Sequence, residues 1–258
     1  MAGGADDRGT PTDRHGVDVI DADAVAVDGL RPPSRRIPLD RERILSTAVR
    51  FIDDHSLRDL TMRRLGGELG VEAMSLYRYV PGREELLDGV VEMILTEMHD
   101  DPEVLEEPRD GWQDYLQRIA HGVRRVALAH PGAFPLVASR PPEAPWLRPP
   151  LRSLRWVERF LDGLLMEGFS DRSAIAAYRA FTSFLLGHLL LEVSSHGADI
   201  GPLDVLDDPD AAPPLDDYPH VARLSDHLAE DHSAVEFEES LENLLDRIAL
   251  IQLQTPEG

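Results

Sequence analysis

The chain has 258 residues, enough for one large domain or two modest ones, each with its own core. It has no cysteine, which excludes disulfides, thiolate nucleophiles and cysteine-based zinc sites. The formal charge is −22, and all 26 basic residues are arginine, so any phosphate contact falls to Arg, backbone amides or hydroxyls.

That charge is unevenly spread. Residues Arg31 to Arg83 hold 11 Arg against 7 acidic residues, a net +4, which leaves −26 on the rest of the chain. A basic segment on an acidic body orients a protein on a polyanion and keeps the body away from it. Apolar content is an ordinary 42%. No apolar run approaches the roughly 18–20 residues of a membrane span. The opening MAGGADDRGT shows no signal-peptide pattern, so the expected location is the cytoplasm, with no membrane partner.

Residues 1–36 are rich in Asp, Gly, Ala and Pro without a sustained period, as in a disordered acidic extension. Arg35 and Arg36 near its end fit either a floppy tether or a basic arm reaching DNA. The first helix is expected from about Leu39 to His55, with Ile44, Leu45, Ala48, Phe51 and Ile52 at helical spacing. Thr61 suits the N-cap of a helix ending near Leu69, with Gly70 at the position that needs positive φ. A short helix follows over about Glu72 to Tyr79. Pro81-Gly82 breaks the chain before a longer helix from Arg83 to about Met98.

Asp110 to His130 reads as a helix through Trp112, Leu116, Ile119, Val123 and Val126. Seven prolines between Pro131 and Pro150 predict mostly loop, with room for one short helical turn. Leu151 to Gly168 is amphipathic again. Ser170 caps a helix to about Ser194. Residues 197–220 hold seven Asp, five Pro and no Arg, and a flexible acidic loop is expected over about 197–230. A capping box, Ser233 with Glu236, opens a last helix whose apolar face is Phe237, Leu241, Leu244, Leu245, Ile248 and Ile251. No run reads as a strand. The expected fold is all-α, about nine or ten helices.

The segment Leu60 to Val80, LTMRRLGGELGVEAMSLYRYV, has the layout helix, glycine turn, short helix, which is that of a helix-turn-helix. Two such helices must cross closely. Gly66 and Gly67 each give up about 1 kcal/mol of helix propensity, and close helix contact is the simplest compensation. Val71 and Leu76 are placed to face inward. Glu72, Ala73, Ser75 and Arg78 would then face out, with Tyr77 and Tyr79 offering hydroxyls to phosphate oxygens. No Asn or Gln lies on this helix, and Arg78 is its only long cation.

From Asp40 to about Leu95 the chain resembles the TetR family of bacterial regulators. Leu60, Thr61, Arg63, Leu65, Leu69, Gly70, Val71, Leu76, Tyr77, Val80, Leu86 and Leu87 stand in register with the family pattern. Tyr79 replaces the usual His, Arg83 the usual Lys and Gly66 the usual Ala. The C-terminal part resembles the family in architecture, closest to the tetracycline-repressor-like branch with its acidic loop before the last helix.

The resemblance implies a three-helix DNA-binding domain over residues 37–85 and a helical effector-binding and dimerisation domain over residues 86–258. It implies a repressor that binds a pseudo-palindromic operator as a homodimer and is released by a small-molecule effector. DNA contacts are expected from Thr61, Arg63, Ala73, Met74, Ser75, Tyr77, Tyr79 and Arg83, with Arg36 and Arg78 as further candidates. Met98, Leu116, His121, Trp156, Tyr178, Phe181 and His188 lie within the apolar helices and fit either core packing or an effector cavity.

Two other readings compete. An all-α metal-dependent enzyme would need a ligand set. Asp226, His227, Asp231 and His232 come nearest, but the two His are spaced i, i+5 and do not share a helix face. No HExxH, GxSxG or P-loop motif is present, so no catalytic residue, metal or cofactor is expected. An interaction scaffold with a vestigial helix-turn-helix is the other.

Overall fold

Asp40 starts the first helix, its carboxylate accepting the Arg43 amide at 2.8 Å. The structure is a computed structural model that describes residues 38–101, 104, 108–140, 143–149, 153–200 and 215–254. The extension expected to be disordered over residues 1–36, Arg36 included, lies outside them. Among the described residues there are ten α-helices, one 3-10 turn and no strand, as an all-α fold requires.

Four helices form the N-terminal part: α1 (Arg41–Asp54), α2 (Met62–Leu69), α3 (Ala73–Leu76) and α4 (Arg83–Asp100). α1 packs on α2 and on α4. Ile44, Ala48 and Ile52 recur every four residues, so they share one face. That face closes on Leu65, Leu76, Leu86 and Val90, all fully buried.

The remainder is α5 (Trp112–Ala129), α6 (Pro135–Ser139), α7 (Leu154–Met166), α8 (Asp171–Ser195), α9 (Pro219–Leu228) and α10 (Ser233–Gln254). A 3-10 turn (Leu215–Asp217) precedes α9. α6 is the one short turn that the proline-rich stretch had room for. Ser170 caps α8 by accepting the Ser173 amide at 3.3 Å. The spaced stripe Ala177, Phe181, Leu185, Leu189 and Val193 is the buried side of α8. It meets α5, α7 and, most extensively, α10, whose inner face is Phe237, Leu241, Leu245 and Ile248.

By length and composition α8 matches a membrane span, with a mean hydropathy of 1.4 over an 18-residue window. Its inner side is instead core, and it carries a buried charge. The Glu192 carboxylate accepts from Arg124 of α5 at 2.5 Å (Nη2) and 3.0 Å (Nε), and the guanidinium lies 5.0 Å from the Phe237 ring centre. The bond to Glu192 holds the Arg124 pKa above its ordinary value against the opposing pull of burial.

Two expectations change. The acidic loop expected over about 197–230 contains α9 and the 3-10 turn, while residues 201–214 lie outside the described region. α9 buries no residue, so its Val221, Leu224 and Leu228 pattern is too sparse to stand out from loop composition. The capping box at Ser233 and Glu236 does not form as expected. α10 already begins at Ser233, whose amide donates to Asp231 Oδ1 at 3.0 Å.

Removing one partner of a buried ion pair leaves the other charge without compensation, at a cost of several kcal/mol. Arg124→Ala should therefore lower the unfolding free energy by about 3 kcal/mol in urea denaturation. A double change, Arg124→Met with Glu192→Leu, should regain most of the loss.

Candidate nucleic-acid interface and effector cavity

The angle between α2 and α3 is set at a glycine. Thr61 caps α2, accepting the Arg64 amide at 3.2 Å, and Gly70 ends it with φ of 69°. The chain then doubles back so closely that the Val71 amide donates to the Gly66 carbonyl at 2.9 Å. A Cβ on Gly66 would lie 2.9 Å from the Val71 carbonyl oxygen and 3.2 Å from the Ala73 nitrogen, both backbone atoms that cannot swing aside. Gly67 is different: it is exposed and a Cβ there would meet open space, so the close contact expected of it is absent.

α3 is shorter than the helix expected over Glu72 to Tyr79. One α-turn ends at Leu76 and continues as a turn, with the Tyr79 and Val80 amides both donating to the Leu76 carbonyl at 2.9 Å. Leu76 and Val80 are sealed into the core, which holds the opposite side of the segment outward. On that side Met74 is 72% exposed, Tyr77 41% and Tyr79 40%, with Arg78 and Glu72 also exposed and Ala73, Ser75 and Val71 half-buried.

Thr61 and Arg63, at the start of α2, are also exposed, and Arg64 is held by Asp59. Arg83 stands apart from the other candidates. It is half-buried, and its Nη2 donates to the Leu57 carbonyl at 2.9 Å, bracing the loop that leads into Thr61.

A second site lies farther from α3. A small cavity of about 40 Å³, partly open to solvent, is walled by α4, α5, α7, α8 and the α6 region. Of the seven cavity candidates, Met98, Trp156 and Phe181 line it. The other four are placed elsewhere. Leu116 is fully buried core. The Tyr178 hydroxyl donates to the Pro149 carbonyl at 3.1 Å, and burial pushes its phenol up to about 12. His121 bonds Glu238 at 3.0 Å, and His188 packs edge-on against Phe237 at 5.2 Å.

Residues not proposed as cavity candidates from the sequence also line it, among them Leu95, Phe134, Val137, Leu185 and the polar Ser153 and Thr182. Beside Trp156, at 5.4 Å between ring centres, stands His99. Its Nδ1 donates to the Leu95 carbonyl at 2.6 Å, and its buried Nε2 has no hydrogen-bond partner. The adjacent Met98-His99 pair at the end of the apolar face of α4 was the only sequence signal for it.

His130, where α5 ends, ties α5 to α1 and α4. Its Nδ1 meets Asp53 of α1 at 2.9 Å and its Nε2 meets Glu97 of α4 at 3.0 Å. The other Asp53 oxygen accepts the Gly132 and Ala133 amides at 3.0 and 3.1 Å. The bond to Asp53 holds the His130 pKa above its ordinary 6.5, with burial opposing it. Arg140, at the end of α6, adds bonds to Glu84 and Asp88 of α4, each at 2.7 Å.

The metal alternative meets a plain geometry: His227 and His232 both turn to Glu230, at 3.3 and 2.9 Å. Among the described residues no group of three or more His, Asp or Glu is arranged to hold a metal ion.

A small helix-turn-helix carried on a larger helical body defines a class of DNA-binding regulator. The model of the tetracyclin repressor-like C-terminal domain matches residues 105–250. The chain therefore belongs to the TetR family, a family of transcription regulators and not of enzymes.

The HTH-type transcriptional repressor DrrR1 of Streptomyces coeruleorubidus is 30% identical over 163 residues, which is 61% of this chain and 56% of that one. The match thus spans little more than half of that relative. The class D tetracycline repressor protein of Escherichia coli is 29% identical over 208 residues, 80% of this chain and 88% of that one. The Streptomyces coelicolor TetR family protein ActR, solved in complex with actinorhodin, is 28% identical with a TM-score of 0.59, over 83% of this chain and 98% of that one.

Two outcomes test the geometry. Gly66→Leu should destabilise the protein by about 2 kcal/mol, the typical cost of overpacking. Gly67→Ala should be neutral or gain up to about 1 kcal/mol, by helix propensity. Thermal unfolding separates the two. Because the folded pKa of His130 is raised, its stabilisation is full below pH 6.5 and is lost as the pH rises through the folded value. Urea unfolding across pH 6 to 9 should show that loss in the wild type and not in His130→Gln.

Proposed function

We propose that the chain is a sequence-specific DNA-binding repressor that acts as a homodimer and leaves its operator when a small effector fills the cavity. The observation that carries this reading is the outward face of α3. Leu76 anchors it, Gly66 sets its angle, and Met74, Tyr77 and Tyr79 stand in solvent, as do Thr61 and Arg63. Tyrosine and threonine hydroxyls and Arg63 suit phosphate oxygens, and the short helix suits the major groove. Arg83 acts here mainly as a brace for the Leu57 loop. The names of the relatives, repressors and regulators, support the same reading.

Residues 37–85 form the DNA-binding domain and residues 86–258 the effector and dimerisation domain, with α4 running from one into the other. Its first half packs on α1, and Leu95 and Met98 near its end line the cavity. A cavity occupant that prefers one setting of α4 biases the α3 face by its differential affinity for the two states. The apolar wall, with Ser153 and Thr182 as its polar members, suits a largely apolar molecule with a few hydrogen-bonding groups.

Dimerisation through α8 and α10 follows from what those helices leave in solvent. Leu191 is 69% and Leu253 80% exposed, and Ile175, Val235 and Leu250 join them outside the core. A pair of such subunits sets two α3 faces on adjacent major grooves, about 34 Å apart, hence a pseudo-palindromic operator. A regulator of this kind works in the cytoplasm.

A gel shift with duplexes flanking its own gene tests the reading. One pseudo-palindrome should bind preferentially, with affinity falling steeply as salt rises. Tyr77→Phe should weaken binding severalfold with an unchanged melting temperature. Arg63→Ala should lower the salt slope by about 1, as expected when one phosphate is no longer neutralised. Equal, salt-insensitive binding to every duplex would contradict the reading.

A further inference from the structure

The cavity of about 40 Å³ is far smaller than the roughly 300–1,000 Å³ of a typical small-molecule site. An occupant must extend beyond it. Leu95 and Ser153 line the cavity and also line a second space, a cleft of about 1330 Å³ open to solvent between α1, α4, α5 and the start of α7. The two spaces therefore adjoin. Trp156 of the cavity wall and His99 of the cleft wall meet ring to ring at 5.4 Å.

The cleft is charged where the cavity is apolar. Six carboxylates line it, Glu42, Glu92, Glu97, Asp100, Asp101 and Glu143, against three Arg. Arg41 takes Glu92 at 3.0 Å, Arg125 takes Asp101 at 2.5 Å and His130 takes Glu97 at 3.0 Å. Glu42, Asp100 and Glu143 then remain against Arg155, a surplus of negative charge.

A surplus of carboxylates is ordinary on so acidic a chain, but His99 is not. It is 6% exposed, and its Nδ1 is committed to the Leu95 carbonyl of its own helix. Nε2, on the other edge of the ring, is then a buried acceptor without a hydrogen-bond partner. Such an atom costs free energy that a donor can restore. Among the described residues no group of three or more His, Asp or Glu is arranged to hold a metal ion. A donor that also answers the surplus charge is an organic ammonium.

Resting on the effector reading of the cavity given above, we infer that the effector is a cationic amphiphile. Its apolar end enters the cavity beside Leu95 and Trp156. Its ammonium stays in the cleft, where it donates to His99 Nε2 and answers the charge of Glu42 and Asp100. The far wall of the cleft is α1, with Glu42 and Leu45, so the same molecule lies against a helix of the DNA-binding part.

The probe is dansylcadaverine, a fluorescent aromatic sulfonamide with an ammonium at the end of a pentyl chain. Its control is 6-(dansylamino)hexanoic acid, which carries a carboxylate on the same frame. With the full-length protein at neutral pH and low salt, the amine should bind with blue-shifted emission and about tenfold more tightly than the acid. The ratio should shrink as salt rises. Glu42→Gln with Asp100→Asn, both exposed, should cut it to about threefold. Asp216→Asn with Asp217→Asn, the same loss of charge outside the cleft, should leave it unchanged. Equal binding of amine and acid overturns the inference. So does tighter binding of the acid, a ratio that survives the cleft variant, or no binding of either probe. A gel shift on the same preparation separates this from the effector reading. Release of a selective DNA complex by the acid and not the amine overturns the inference alone, whereas an amine that binds as expected and leaves that complex intact overturns the effector role of the cavity.

Discussion

The backbone of α2 and the backbone leading into α3 touch at Gly66, and the exposed face depends on that contact. The Val71 amide bonds to the Gly66 carbonyl, and no side chain fits between them. The close approach lets Leu76 reach the core shared by α1 and α4, and a buried Leu76 forces Met74 and Tyr77 outward. Gly70, in the left-handed region, supplies the reversal that makes the approach possible. A mid-helix glycine loses propensity, so its presence in α2 makes sense only through this contact.

The joint at His130 has a comparable role one level up. Asp53 sits in the last turn of α1, Glu97 in the last turns of α4, and His130 at the end of α5, so one imidazole gathers three elements. Asp53 then reaches past it to two backbone amides. With Arg140 holding the start of α4, this helix is gripped at both ends by the loop and short helix that follow α5. Charged hydrogen bonds thus fix α4, which carries Leu95 and Met98 of the cavity wall, against α1 and the segment after α5.

Legibility from the sequence followed the nature of each signal. Local signals read well. The Thr61 cap, the Gly70 reversal and the stripes on α1, α8 and α10 each depend on residues within a few positions of one another. Signals between distant residues did not read. Nothing in the sequence brings His130 to Asp53 across 77 positions, or His121 to Glu238 across 117, and both His121 and His188 proved to pack around Phe237. The cavity was half legible for the same reason. Large apolar side chains mark a helix face, but whether that face meets another side chain or a void depends on several helices at once. Gly67 shows the reverse error: beside Gly66 it looked equivalent, and only the path of the chain after Gly70 distinguishes them.

The composition of α8 bears on how the protein is made. Its inner stripe is covered on one flank by α5 and α7, which precede it, and on the other by α10, which follows it. As the chain leaves the ribosome, a helix apolar enough to match a lipid-spanning segment waits, half clothed, until the last helix emerges. During that interval chaperones and neighbouring nascent chains compete for the bare flank. Efficient production therefore depends on rapid closure by α10, and slow translation through the acidic stretch between them prolongs the hazard.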